Sequence, residues 1–150
     1  GGGSGKMEVE DYIRNKNLSN ALSLPYQPLN ELKHSLAAAD VHVVSLGQNM
    51  VGIIHPCKIY GAMAVGRPIL FLGPKPSHIG DLLEHHDIGI HVSHGNVPGV
   101  IAAIRRFRQM SSEQLQAMGN TAQSVLNESL SEPLLRGKVC DAVETAMRIG

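Results

Sequence analysis

The sequence predicts an α/β fold, a Rossmann-like parallel sheet with helices on both faces, and three observations predict it. Short apolar segments at 21–24, 41–46, 69–72 and 88–92 alternate with segments whose apolar residues recur every three or four positions. Alternation at this spacing makes right-handed crossover units, which set the strands parallel. Aromatic residues are 3% of the chain and Trp is absent, so the core is built from Leu, Ile, Val, Ala and Met, a composition that suits helices packed closely on a parallel sheet.

Each element has its own warrant. The opening GGGSG, residues 1–5, is a linker or a turn leaving a strand, and residues 6–150 form the domain. Residues 6–16 place Met7, Tyr12 and Ile13 on one side among charges and predict a short helix ending in NKNLSN. Residues 21–24 predict a short strand stopped by PYQP. Pro28 opens a helix through LNELKHSLAAAD, with Leu29, Leu32 and Leu36 at helical spacing and Asp40 closing it. VHVVSL, 41–46, is β-branched, bounded by Gly47, and predicts a buried strand. A mixed loop with Gly47 and Gly52 leads to Pro56, an amphipathic helix stopped by Gly66, and a strand at 69–72 ending in Gly-Pro. Ser77 caps a helix to about His85, with Ile79, Leu82 and Leu83 inward and Asp81 and Glu84 outward. A strand at 88–92 follows, then a helix at 97–110. A helix from Ser112 and Gln114 carries Leu115, Met118, Ala122 and Val125, and a last one at 132–149 has Leu134, Leu135, Val139, Val143 and Met147 on one side.

Composition narrows the function classes. A chain of 150 residues fits one domain or a piece of a larger one, and 43% hydrophobic residues supply a core. Formal net charge is zero, so no whole-molecule field argues for nucleic acid, and Arg105, Arg106 and Arg108 read as the wet side of a helix. No apolar run approaches the roughly 20 residues of a transmembrane segment, and the glycine-rich start has no signal-peptide core. Two cysteines, Cys57 and Cys140, make neither a disulfide framework nor a metal spacing, which fits a cytoplasmic address.

The candidate chemistry gathers around 47–58. Ligands of open parallel sheets bind outside the carboxyl ends of the strands, and the loops after Leu24, Ser45, Gly73 and Val92 line that edge. A helix beginning at a proline leaves its first N–H groups free, and glycines in the preceding loop let backbone approach a ligand, an arrangement suited to a nucleotide diphosphate. Lys58, in the first turn, can reach such a group or be a solvated lysine. Arg67 lies past the far end and reads as structural. GSGK at 3–6 is not a P-loop, since that motif needs a Gly five residues before its Gly-Lys pair and a Ser or Thr where Met7 stands. Cys57 and His55 could pair as nucleophile and base, but residues two apart do not face each other around a helix and no third group orients them, so Cys57 reads as a small first-turn residue. His85, His86, His91 and His94 lack a completing ligand at a standard spacing and read as helix-end and strand histidines; His42 reads as a core or edge histidine. No metal and no cofactor are expected.

Four segments together carry a resemblance: LPYQPLNELKHSLAAADVHVVSL, HPCKIYGAMAVGRPIL, GPKPSHIGDLLEHHDIGIHV and MGNTAQSVLNESLSEP. In order and spacing they resemble the C-terminal, donor-binding domain of retaining GT-B glycosyltransferases of the family 4 type, most closely those of bacterial surface polysaccharide biosynthesis. The resemblance implies a nucleotide-sugar donor (UDP-, GDP- or dTDP-linked) bound without a metal. It implies Tyr26 and Gln27 beside the base, and Gly52, Ile53, Ile54 and His55 with Pro56, Cys57 and Lys58 facing the diphosphate and sugar. It also implies a separate N-terminal domain for the acceptor and, for the parent protein, a cytoplasmic address peripheral at the inner membrane.

Two departures stand out. Many relatives flank the donor with two glutamates separated by seven residues, and here those positions are Ile53 and Gly61. The family's domain also begins with two strands upstream of a GGGS-like turn, which in a 3-2-1-4-5-6 order lie between the strands at 21–24 and 41–46. The resemblance thus implies an N-terminally truncated domain that re-pairs its strands or borrows an edge from another copy as a homo-oligomer. The competing reading is a non-catalytic α/β interaction or receiver-like module. A phosphoacceptor receiver needs acidic residues at strand ends, and Asp40 precedes its strand.

Overall fold

A computed structural model describes residues 2–149, and the chain divides between Ser35 and Leu36 into two units. In the first unit, α1 (Lys6–Asn15) forms as expected and is latched by Lys6–Glu10 (3.5 Å) and Asp11–Arg14 (2.9 Å) ion pairs. Residues 21–24 are not a strand. They are irregular, Leu22 and Leu24 are exposed, and the Ser23 hydroxyl donates to Glu10 (2.7 Å). A strand exists only through its ladder, and an apolar tetrapeptide alone does not specify one. The helix expected from Pro28 to Asp40 is shorter and broken: a 3₁₀ turn at Leu29–Glu31 precedes α2 (Leu32–Ala37), within which the division falls.

The second unit is an α/β layer built on three parallel strands, β1 (His42–Ser45), β2 (Ile69–Leu72) and β3 (Gly89–Val92), in the order β1-β2-β3. His42 aligns with Ile69 and Ile69 with Gly89, so the strands start level and their exit loops share one edge. Strand β2 is central and apolar at every position because both its faces are covered. Val44, Leu46, Ile69, Phe71 and Ile88 point to one face, where Ile59, Ala62 and Met63 of α3 (Lys58–Ala64), Ile79 of α4 (His78–His85) and Ala122 and Val125 of α6 (Ser112–Ser129) pack on them. Leu70 and Val92 point to the other, against Ala103 and Phe107 of α5 (Val97–Gln109) and Met118 of α6. Helices therefore lie on both faces. Strand β1 is less buried than its sequence predicts: Val44 is enclosed, but Val43, on the face that α5 covers elsewhere, is 59% exposed.

Helix boundaries follow local chemistry. Helix α3 ends in a Schellman motif, with Gly66 N–H bonded to Met63 O and Arg67 N–H to Ala62 O (both 3.0 Å) and Gly66 at φ +63, a conformation that favours glycine. Arg67 then reaches Ala37 O (2.7 Å), and His42 Nε2 bonds Leu36 O (2.9 Å), so carbonyls at the end of α2 are satisfied by two side chains. Ser77 caps α4 as predicted, accepting from Gly80 N–H (3.1 Å). Helix α6 begins at Ser112 as expected, and its capping box is made by Ser111 and Gln114. Helix α7 (Glu132–Ile149) forms where expected, but its described residues up to 148 are exposed.

Candidate functional site

A cleft of about 370 Å³ opens at the edge where β1 and β2 end. One wall is the loop Val51–Pro56, the other is Ser77, His78 and Ile79 at the start of α4, and Leu46, just past β1, forms the floor. The loop holds its shape through a 3₁₀ turn at Gln48–Met50, through Ile53 and Ile54 N–H groups that both bond Met50 O (3.1 and 3.0 Å), and through Gly52 at φ +77, again a glycine conformation. Most of the lining is apolar. His55, Ser77 and His78 supply the polar side chains, and Ser77 is already engaged as a cap and as a donor to Pro74 O (2.9 Å).

The strand-exit loops around the cleft are tied by histidines. His94 Nε2 donates to Leu46 O (2.5 Å) and His91 Nε2 donates to Gly73 O (2.8 Å). A carbonyl only accepts, so both rings carry the proton on Nε2. His85 bonds Asp81 O on its own helix through Nδ1 (2.8 Å). These side chains anchor backbone, and among the described residues no group of three or more His, Cys, Asp or Glu is placed to hold a metal ion.

The expected site residues separate into groups. Gly52, Ile53, Ile54, His55 and Pro56 line the cleft together. Cys57 and Lys58 are exposed at the start of α3, outside its lining, and Lys58 makes no ion pair among the described residues. Helix α3 begins at Lys58 rather than Pro56, and its early N–H groups are partly used: Ile59 N–H bonds Pro56 O and Tyr60 N–H bonds Cys57 O (both 3.2 Å). Cys57 Sγ donates to His55 O (3.4 Å), so thiol and imidazole are not paired as nucleophile and base. Gly61 turns toward α2, where a Cβ would stand 3.2 Å from Leu36 Cδ1. Tyr26 and Gln27 belong to the first unit; the Tyr26 ring lies over Gly2, and Gln27 Nε2 donates to Pro25 O (3.2 Å).

Ser77, His78 and Tyr60 were not anticipated as site residues. His55 Nε2 and the Tyr60 hydroxyl are 2.6 Å apart, their rings stack at 5.3 Å, and the His78 ring lies 4.9 Å from that of His55. Partial desolvation first and the neighbouring His55 second hold His78 below the usual imidazole range, with Asp81 opposing. Burial, then Cys57, pushes the Tyr60 phenol up. The available sequence signal for His78 is its place directly after a helix cap that follows a strand, which puts it on the binding edge.

No family model matches the chain, and no solved structure matches it. The chain is similar to the probable glycosyltransferase WbjE of Pseudomonas aeruginosa, 33% identical over 105 residues. That stretch is 70% of this chain and 26% of the relative, so the chain spans about a quarter of the length of the curated protein it matches.

Proposed function

We propose that this chain is the donor-binding part of a glycosyltransferase of the retaining GT-B type, and that the cleft between Gly52–Pro56 and the start of α4 receives the diphosphate of a nucleotide sugar. The observation that carries the reading is the 33% identity over 105 residues with a probable glycosyltransferase. Two features support it. The cleft lies outside the carboxyl ends of parallel strands, where α/β sheets take their ligands, and its loop offers backbone at Gly52 with the Lys58 ammonium exposed close by in sequence. On this reading Lys58 and the N–H groups of Cys57 and Lys58 stabilise the charge that develops on the departing nucleoside diphosphate, a contribution larger in the transition state than in the ground state. The acceptor is held by another part of the parent protein, whose product belongs to polysaccharide or glycan biosynthesis. Ile53 and Gly61 offer no carboxylate to the sugar hydroxyls, so the donor is gripped mainly through its diphosphate.

Thermal shift with UDP, GDP, ADP and dTDP, each with and without magnesium, tests the reading. The matching nucleotide at a hundred times its Kd adds about 2.7 kcal/mol, a rise in Tm of roughly 5 to 10 °C for a chain of this size, and magnesium leaves it unchanged. The Lys58→Ala variant retains the fold and loses part of that rise. Silence toward all four nucleotides would favour the non-catalytic interaction module instead.

A further inference from the structure

The histidine pair in the cleft has a property that a neutral phosphate pocket lacks. His55 comes from the loop before α3 and His78 from the first position of α4, and both line the same cavity with ring centroids 4.9 Å apart. Two cationic imidazoles at that distance repel each other, so the pair by itself disfavours double protonation. An anion held against the edges of both rings reverses the balance, because it attracts each of them and offsets their repulsion. Tyr60 holds His55 in place: its hydroxyl donates to Nε2 of the neutral ring and accepts from Nε2–H of the cationic one, so the contact survives a change of charge.

We infer that His55 and His78 are the anion-receiving pair of this cleft, and that a diphosphate binds to them with uptake of a proton from solvent. The inference rests on the proposed donor site and names residues and a linkage within it. No ligand bond is made or broken; an imidazole nitrogen takes the proton and donates it as a hydrogen bond to a phosphate oxygen. Other charged or titratable groups belong to the same elements. Cys57, Tyr60 and the exposed Lys58 stand on the α3 side, while Asp81 on α4 works on His78 in the opposite direction to His55. Lys75, on the turn before α4, is paired with Glu84 at 3.2 Å. His78 below the usual imidazole range accords with a ring that is neutral until an anion arrives.

Calorimetric titration in buffers of different ionisation enthalpy reads the proton directly. The probes are the nucleotide sugars UDP-glucose, GDP-mannose and dTDP-glucose, whose diphosphates do not titrate near neutrality, and inorganic pyrophosphate, which needs no base or sugar site. Binding at pH 7.5 is expected to take up a substantial fraction of a proton, with affinity rising by up to about tenfold per pH unit from pH 8 toward 6.5. The exposed substitution His78→Gln should abolish most of the uptake and flatten the pH profile with the fold intact, and His55→Gln should do the same. In nitrogen-detected imidazole spectra, the His78 resonance of the free protein titrates below the ordinary range and moves up on binding. Nucleotide sugars that bind without proton uptake would overturn the histidine pair and leave the donor site standing. Pyrophosphate, which itself titrates near neutrality, is read on the imidazole spectra instead: if it binds and raises the His78 titration while no nucleotide sugar binds, the histidine pair stands and the donor site falls, and no binding by any probe would remove both.

Discussion

Helices α6 and α7 are both 18 residues long with apolar side chains at helical spacing, yet α6 buries Met118, Gly119, Ala122 and Val125, whereas Val139, Val143 and Met147 of α7 are 63%, 54% and 77% exposed. The difference lies in what each meets. Gly119 and Ala122 are small enough for α6 to come down on the α3–β2 turn, where Gln123 Nε2 also donates to Ala64 O (3.0 Å). Helix α7 meets only a shallow groove, in which Leu135 and Val139 stand beside Tyr60, Leu126 and Leu130. An apolar stripe predicts a helix; burial of the stripe depends on a complementary surface.

The hardest way to break that comparison is to add a methyl group at the closest point of the packed helix. A Cβ on Gly119 would stand 2.0 Å from Gly66 O, a backbone atom fixed by the Schellman turn of α3. Backbone cannot swing aside as a side chain can, so Gly119→Ala should cost about 3 kcal/mol, read as a lower urea midpoint with unchanged m. A cost below about 0.5 kcal/mol would mean that α6 is not seated on that turn.

A smaller effect belongs to Ser77, which is buried and bonded to both Gly80 N–H and Pro74 O. Ser77→Ala removes the cap of α4 and should cost about 1 kcal/mol, with faster amide exchange in its first turn. Because α4 forms one wall of the cleft, the same substitution should weaken nucleotide binding more than an equally destabilising change in α5.

What was legible in the sequence follows the same line. Strand β2 and helix α4 occupy the residues predicted, because a strand enclosed on both faces is apolar throughout and a Ser cap marks a helix start without reference to anything distant. Residues 21–24 and Val43 misled for the converse reason, since pairing and cover are supplied by other segments. In the cleft, Gly52 to Pro56 could be read from a glycine loop after a strand. The approach of His78 to His55 could not, since it depends on how two βα units lie side by side, and no local pattern encodes that distance.

The smallest expected effect is on α7, and it sharpens the contrast most. Valine and serine have similar helix propensities, so replacing an exposed Val143 by Ser removes little helical preference and little packing. Val143→Ser should therefore change stability by no more than about 0.5 kcal/mol, whereas the same exchange at the buried Val125 of α6 leaves a hydroxyl in the core and should cost several times as much. Urea denaturation of the two variants side by side measures the ratio. A loss above about 1.5 kcal/mol at Val143 would mean that the α7 stripe is covered in solution, and the distinction between the two helices would then be one of partner rather than of burial.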